Sequence, residues 1–141
     1  MKKRQKIDHA EFQADMQTLD QMLQWVRKFL IQGEFPEIHI RKIELAVEEA
    51  IVNVIHYAYH DRKGPIELIC SLYPQDRMEL IIKDQGPAFN PLMQKQKINP
   101  EASLEEREEG GLGILLMREY MDDVHYKRND PYNVLTFVKK E

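Results

Sequence analysis

Three short stretches of the sequence bring together residue types that chemistry uses. In EEAIVNVIHYAY, Glu49 and Asn53 stand four residues apart. On a helix successive residues turn by about 100°, so these two side chains lie about 40° apart on one face while Glu48 points elsewhere. A carboxylate and a carboxamide one turn apart, beside apolar surface, can supply a general base and an oxygen ligand for a hard cation such as Mg²⁺. The plain alternative is a solvated helix face, because Glu44, Glu48 and Glu49 are what such a face usually carries. In KDQGPAFNP, Asp84 is followed two residues on by Gly86, then by Phe89 and Pro91. Asp-x-Gly is an everyday turn. A carboxylate that accepts from an exocyclic amine, with apolar walls for a flat ring, is also half of a nucleotide site. In EEGGLGILLM, three glycines, Gly110, Gly111 and Gly113, surround Leu112 and run into an apolar segment. One glycine would cap the preceding acidic segment. Three glycines at the mouth of a helix also present backbone N–H groups that bind phosphate along the helix dipole.

The elements that must position these residues follow from periodicity. Residues 6–12 read as a weak first strand. Leu19, Met22, Leu23, Val26 and Leu30 recur at helical spacing, with Gly33 available to stop the helix. A longer helix is predicted over residues 36–59, its buried stripe formed by Ile40, Ile43, Val47, Ala50, Ile51, Val54 and Ala58. Ile66, Leu68, Cys70 and Leu72 alternate, as do Met78, Leu80 and Ile82, with YPQDR between them, which is the pattern of a β-hairpin. Regularity fails over residues 87–109, and the part from about 92 to 109 is expected to form a mobile lid leading into the glycines. A helix from Leu112 to about Met121 follows. Val124, Tyr126 and Arg128, then Val134, Thr136 and Val138, read as two closing strands around the turn NDPYN. The sum is an α+β fold, a two-layer α/β sandwich with helices on one face of a mostly antiparallel sheet.

Composition narrows the function classes. A chain of 141 residues, 43% hydrophobic and 31% charged, is expected to form a single globular domain over 1–141. No run approaches the ~18 apolar residues of a membrane span. Behind the basic start MKKRQK comes IDHAEFQADM rather than the apolar core of a signal peptide, and Cys70 is the only cysteine. A cytoplasmic location without membrane contact is therefore expected. The net charge of −4 argues against a direct nucleic-acid surface. His56 and His125 have no second histidine or cysteine at ligand spacing, so no metal beyond nucleotide-borne Mg²⁺ is expected. No glycine run continues into Lys-Ser/Thr as a P-loop requires, GGLGIL lacks the third glycine of a Rossmann fingerprint, and the HRD and DFG elements of ordinary protein kinases are missing.

Taken in order, EEAIVNVIHYAY, DQGPAFNP and GGLGILLMREYMDDVHY resemble the N-box and the two glycine boxes of the GHKL (Bergerat-type, histidine-kinase-like) ATPases. Within that superfamily they most resemble the anti-sigma-factor serine kinases. The resemblance implies that ATP and Mg²⁺ are the cofactors. Asp84 would then receive the adenine amine, Gly86 would permit the close turn beside it, and Phe89 would wall the ring. Gly110, Gly111, Leu112 and Gly113 would hinge the lid and hold the phosphates, Asn53 would hold Mg²⁺, and Glu49 would act on the incoming hydroxyl. It further implies a kinase that phosphorylates a small antagonist protein on serine and binds a sigma factor, in a family that includes homodimers. The alternative is a nucleotide-dependent binding module that transfers nothing. Glu49 speaks for transfer, since histidine kinases usually carry Asn or a similar residue there. Two departures stand out: where histidine commonly follows the box Asn by four residues this chain has Tyr57, with His56 before it, and the residues ahead of the glycines are the acidic EREE.

Overall fold

The computed structural model describes residues 6–59, 63–73, 77–93 and 113–140. Alternating apolar residues form five strands, β1 (Lys6–Gln13), β2 (Pro65–Tyr73), β3 (Arg77–Asp84), β4 (Asp123–Asn129) and β5 (Tyr132–Lys140). They make one sheet in the order β1-β2-β3-β5-β4, and every neighbouring pair is antiparallel. The sheet is thus fully antiparallel, a stricter arrangement than the mostly antiparallel one expected. Ile66, Leu68 and Cys70 of β2, Met78, Leu80 and Ile82 of β3, and Leu135 and Phe137 of β5 point to one face and share a buried cluster with the helices. The α+β two-layer architecture follows from that one-sided burial.

The helices are α1 (Leu19–Gln32), α2 (Glu37–Asn53) and α3 (Gly113–Tyr120), with α2 packed against both others. In α1 the residues Leu19, Met22, Val26, Phe29 and Leu30 are buried, and in α2 Ile40, Ile43, Ala46, Val47, Ala50 and Ile51 are buried, the stripe that 3.6-residue periodicity requires. Arg27 of α1 reaches across to Glu37 and Glu44 of α2, and its hydrogen bond holds the Glu37 carboxyl below the usual carboxylate range. These contacts tie α1 to α2, the element that carries Glu49 and Asn53, while the buried stripe sets its rotation.

Three expectations are corrected, and the stop at Gly33 is as expected. The predicted helix over 36–59 is α-helical only to Asn53; Val54–Ala58 winds as a π turn, with the Tyr59 N–H donating to the Val54 carbonyl. Side-chain periodicity does not report such a change, because it lies in which carbonyl each N–H chooses. Val54, read as part of the stripe, is only half-buried, while Ala58 and Tyr59 are buried. Gly33 does cap α1, its N–H donating to Phe29, but the left-handed residue of that turn is Glu34, at φ 62°. A Cβ at 33 would stand 2.7 Å from Leu72 Cδ1, a side-chain end that can move aside. In β5 the core-facing set is Asn133, Leu135 and Phe137, and Asn133, read as part of the turn NDPYN, lies inside the strand. Leu92 and Met93, where the expected lid begins, belong to a short 3-10 turn, Pro91–Met93, and the rest of that lid, with Gly110, Gly111 and Leu112, lies outside the described residues.

Candidate functional site

One recess opens at the end of the sheet where α2 gives way to the π turn. It is lined by Ala50, Asn53, Val54 and Ala58 from the helix, Ile82 and Asp84 from β3, Phe89 and Pro91 from the following loop, and Tyr126, Asn133 and Leu135 from the closing hairpin. Most of this lining is apolar. The polar exceptions are few and specific, which is the composition of a site for a flat organic ligand.

Asp84 ends β3 on the helix-facing side and is 6% exposed. A buried carboxylate without a cation beside it must be satisfied by N–H donors. Its Oδ1 accepts from the Gly86 backbone N–H at 2.8 Å and from Asn133 Nδ2 at 2.9 Å. Its Oδ2 has no partner among the described residues. One oxygen of a fixed carboxylate therefore remains to accept from an amine entering the recess.

Gly86 lies directly over the helix end. A Cβ at this position would meet Ala58 Cβ at 2.5 Å and Ala58 Cα at 2.7 Å, and no described glycine has positive φ, so close approach and not backbone angle demands glycine here. Tyr59 fastens the same corner: its hydroxyl donates to the Pro65 carbonyl at 2.6 Å and accepts from the Gln85 N–H at 2.7 Å. Gly86→Ala is expected to lower stability by ~1–3 kcal/mol through overpacking against backbone that cannot yield. A thermal melt checks this, and a melting temperature equal to the parent's contradicts the packing.

Phe89 walls the recess, and its ring stacks on Tyr57 with centroids 5.4 Å apart and planes 19° from parallel. Tyr57 comes from the π turn and is 45% exposed. A tyrosine there gives the Phe89 ring an aromatic partner on its solvent side.

Asn53 ends α2 in the wall of the recess, and its carboxamide has no hydrogen-bond partner among the described residues. Asn53 can offer one oxygen to a cation. No group of three or more His, Cys, Asp or Glu residues suited to a metal exists among the described residues. A single amide oxygen fits Mg²⁺ that arrives with phosphates and keeps most of its coordination from them and from water.

Glu49 lies one turn before Asn53, partly buried, and does not line the recess. One helical turn, about 5.4 Å along α2, separates it from Asn53. Gly113 opens α3, whose Met117 is fully buried and which packs on α2. Of the residues singled out in the sequence, Asn53, Asp84 and Phe89 thus share one recess, with Gly86 forming its corner. Glu49 and Gly113 sit on the two helices beside it. His125, on edge strand β4, is exposed, pairs with Asp123 at 2.7 Å and does not line the recess. Cys70 is buried, and burial pushes its thiol well above the ordinary range, so it is inert packing.

Sequence reasoning missed Asn133, which is 5% exposed and bonded to Asp84. The signal was available: Asn133 has the parity of Leu135 and Phe137, and a polar residue at a core-facing register position must have partners.

Comparison with known proteins agrees with this fold. The family model described as "Histidine kinase-like ATPase domain" matches residues 12–139. A serine-protein kinase RsbW of Oceanobacillus iheyensis is 36% identical over 105 residues, covering 72% of this chain and 65% of that protein. A serine-protein kinase RsbW of Bacillus mycoides is 32% identical over 104 residues, 70% of this chain and 64% of that protein. The match therefore spans a little under two thirds of the length of these relatives. Among solved structures, the RsbU and RsbW domains of Rv1364c from Mycobacterium tuberculosis share the fold, with a TM-score of 0.68 at 13% identity, covering 96% of this chain and 32% of that one. The histidine kinase domain of a blue-light activated kinase from Erythrobacter litoralis gives 0.53 at 18% identity, over 72% and 44% of the two chains. With a family model spanning nearly its whole length and the three boxes in order, this chain belongs to the histidine kinase-like ATPase domain family.

Proposed function

We propose that the chain, as a single domain, is an ATP-dependent protein-serine kinase and an anti-sigma-type regulatory switch. It phosphorylates a small antagonist protein on serine and binds a partner such as a sigma factor. The observation that carries the nucleotide half is the pairing, in one recess, of Asp84 and Asn53, whose Oδ2 and carboxamide have no hydrogen-bond partner among the described residues. In this reading the adenine amine donates to Asp84, the ring lies between the aliphatic floor and Phe89, and the phosphates run toward Asn53 and the N-terminus of α3. Asn53 would supply the protein oxygen to Mg²⁺ carried with the nucleotide, and that ion would neutralise phosphate charge. Glu49 takes the proton from the serine hydroxyl as the serine oxygen bonds to the γ-phosphorus. The bond from that phosphorus to the β,γ-bridging oxygen breaks, and ADP leaves with the charge.

Support for the kinase half is the name shared by the relatives and the carboxylate at position 49. The absence of an apolar helix long enough to cross a membrane among the described residues accords with a switch that meets dissolved partners. Incubation of the chain with γ-labelled ATP, Mg²⁺ and candidate antagonist proteins tests this directly. Label is expected on a partner serine, in an acid-stable, base-labile linkage. Label retained on histidine of this chain, or on no partner at all, contradicts it; partner binding without label would favour the module that transfers nothing.

A further inference from the structure

The closing hairpin β4–β5 contributes a second set of polar groups to the recess, and their bonds can be accounted for completely. Register sets them in a line: Asp84 of β3 faces Asn133 of β5, and Asn133 faces Arg128 of β4. Beyond its bond to Asp84, Asn133 Nδ2 donates to the Pro87 carbonyl at 2.9 Å and approaches the Gly86 carbonyl at 3.4 Å. Its Oδ1 accepts from the Tyr126 hydroxyl at 2.5 Å, from the Phe89 backbone N–H at 3.2 Å and from Arg128 at 3.3 Å. Arg128 also donates to the Gly86 carbonyl at 2.8 Å and pairs with Asp130 at 3.0 Å. The two donors and the acceptor oxygen of the amide are thus all in use. Swapping the amide's O and N would set a carbonyl oxygen against Asp84 and Pro87 and an NH₂ against two donors, so the network fixes its orientation.

We infer that Asn133 is a positioning residue for adenine nucleotide, holding Asp84 with a single oxygen exposed and pinning the 86–89 loop, without itself touching the base. With every polar atom of Asn133 committed, none is left for a ligand. Its bond to Asp84 Oδ1, beside that of the Gly86 N–H, leaves Oδ2 as the oxygen with no partner among the described residues. Its hold on the Pro87 carbonyl and the Phe89 N–H fixes the loop that carries the Phe89 ring against Tyr57. A carboxylate and wall fixed before the ligand arrives lose less freedom on binding. The inference rests on the reading of this recess as an adenine nucleotide site.

A double-mutant cycle on the full chain tests it, with ADP affinity measured by calorimetry in Mg²⁺ for the parent, Asn133→Ala, Asp84→Asn and the double variant. Asn133→Ala is expected to weaken ADP by about tenfold or more. Because Asn133 acts in part through Asp84, the loss in the double variant should be clearly smaller than the product of the two single losses. A merely structural role for Asn133 would instead make the two losses multiply. Unchanged ADP affinity in Asn133→Ala, or fully multiplicative losses, overturns the inference. Should Asn133→Ala fail to fold, Tyr126→Phe decides, since it removes only the hydroxyl that steadies Asn133 Oδ1. About threefold or greater weakening there supports the inference, and parent-like affinity overturns it. A parent chain that binds no ADP removes the nucleotide reading and this inference together, whereas a parent that binds while the cycle fails removes this inference alone.

Discussion

Glu49→Gln is expected to bind ATP and partner nearly as the parent does while transferring phosphate at a few per cent of the parental rate or less. The amide keeps the size and shape of the carboxylate but cannot take a proton, so the change isolates proton transfer from packing. A positioned general base contributes about 10²- to 10⁴-fold, and the loss should fall in that range. Two neighbours on α2 supply controls. Asn53→Ala, which removes the recess-facing carboxamide, should weaken nucleotide in a Mg²⁺-dependent manner. Glu48→Gln, on a different part of the helix circumference, should be close to silent. Single-turnover transfer of labelled phosphate, alongside nucleotide titration, separates these outcomes. If Glu49→Gln phosphorylates as fast as the parent, the chain is better described as a binding module and Glu49 is one more helix-surface carboxylate.

Asp84→Asn is the second large effect. In the parent the open oxygen of Asp84 can only accept, which suits an exocyclic amine and rejects a carbonyl. The variant places an uncharged amide at the same point. Losing a charged hydrogen bond costs ~1.5–3 kcal/mol, so adenine nucleotides should weaken by roughly ten- to a hundredfold. Discrimination against guanine should shrink in step, since an amide turned about can present an N–H to the guanine oxygen. An Asp84→Asn protein with parental affinity for ATP would remove Asp84 from the base contact.

Much of this arrangement was legible in the residues themselves. The stripes of α1 and α2 and the alternation of β2 and β3 set the two layers, because burial of one face is a strong and repetitive signal. Asp84 could be located as the last residue of a strand, and the structure buries it where that strand meets the helix. What escaped detection lay in contacts between distant segments or in the backbone. The π turn at Val54–Ala58 is a matter of carbonyl choice, and only the fold reveals that it brings Tyr57 to Phe89. Asn133 was hidden by its neighbours, because NDPYN looks like turn chemistry throughout although β5 has begun at Tyr132. Gly86 was read as an element of a close turn, but the object it approaches, Ala58, lies 28 positions away in sequence. Arg128, taken only as an alternating strand residue, reaches back to the Gly86 carbonyl through a register that no local pattern encodes.

The claim on which the rest depends is that the recess between Asn53, Asp84 and Phe89 recognises adenine nucleotide. Calorimetric titration of the intact chain with ATP and, in parallel, with GTP, both with Mg²⁺, tests it most directly. The account predicts saturable binding of ATP and affinity for GTP weaker by about tenfold or more, the worth of one charged hydrogen bond gained or lost; equal affinity for the two nucleotides, or no binding of ATP, would contradict it.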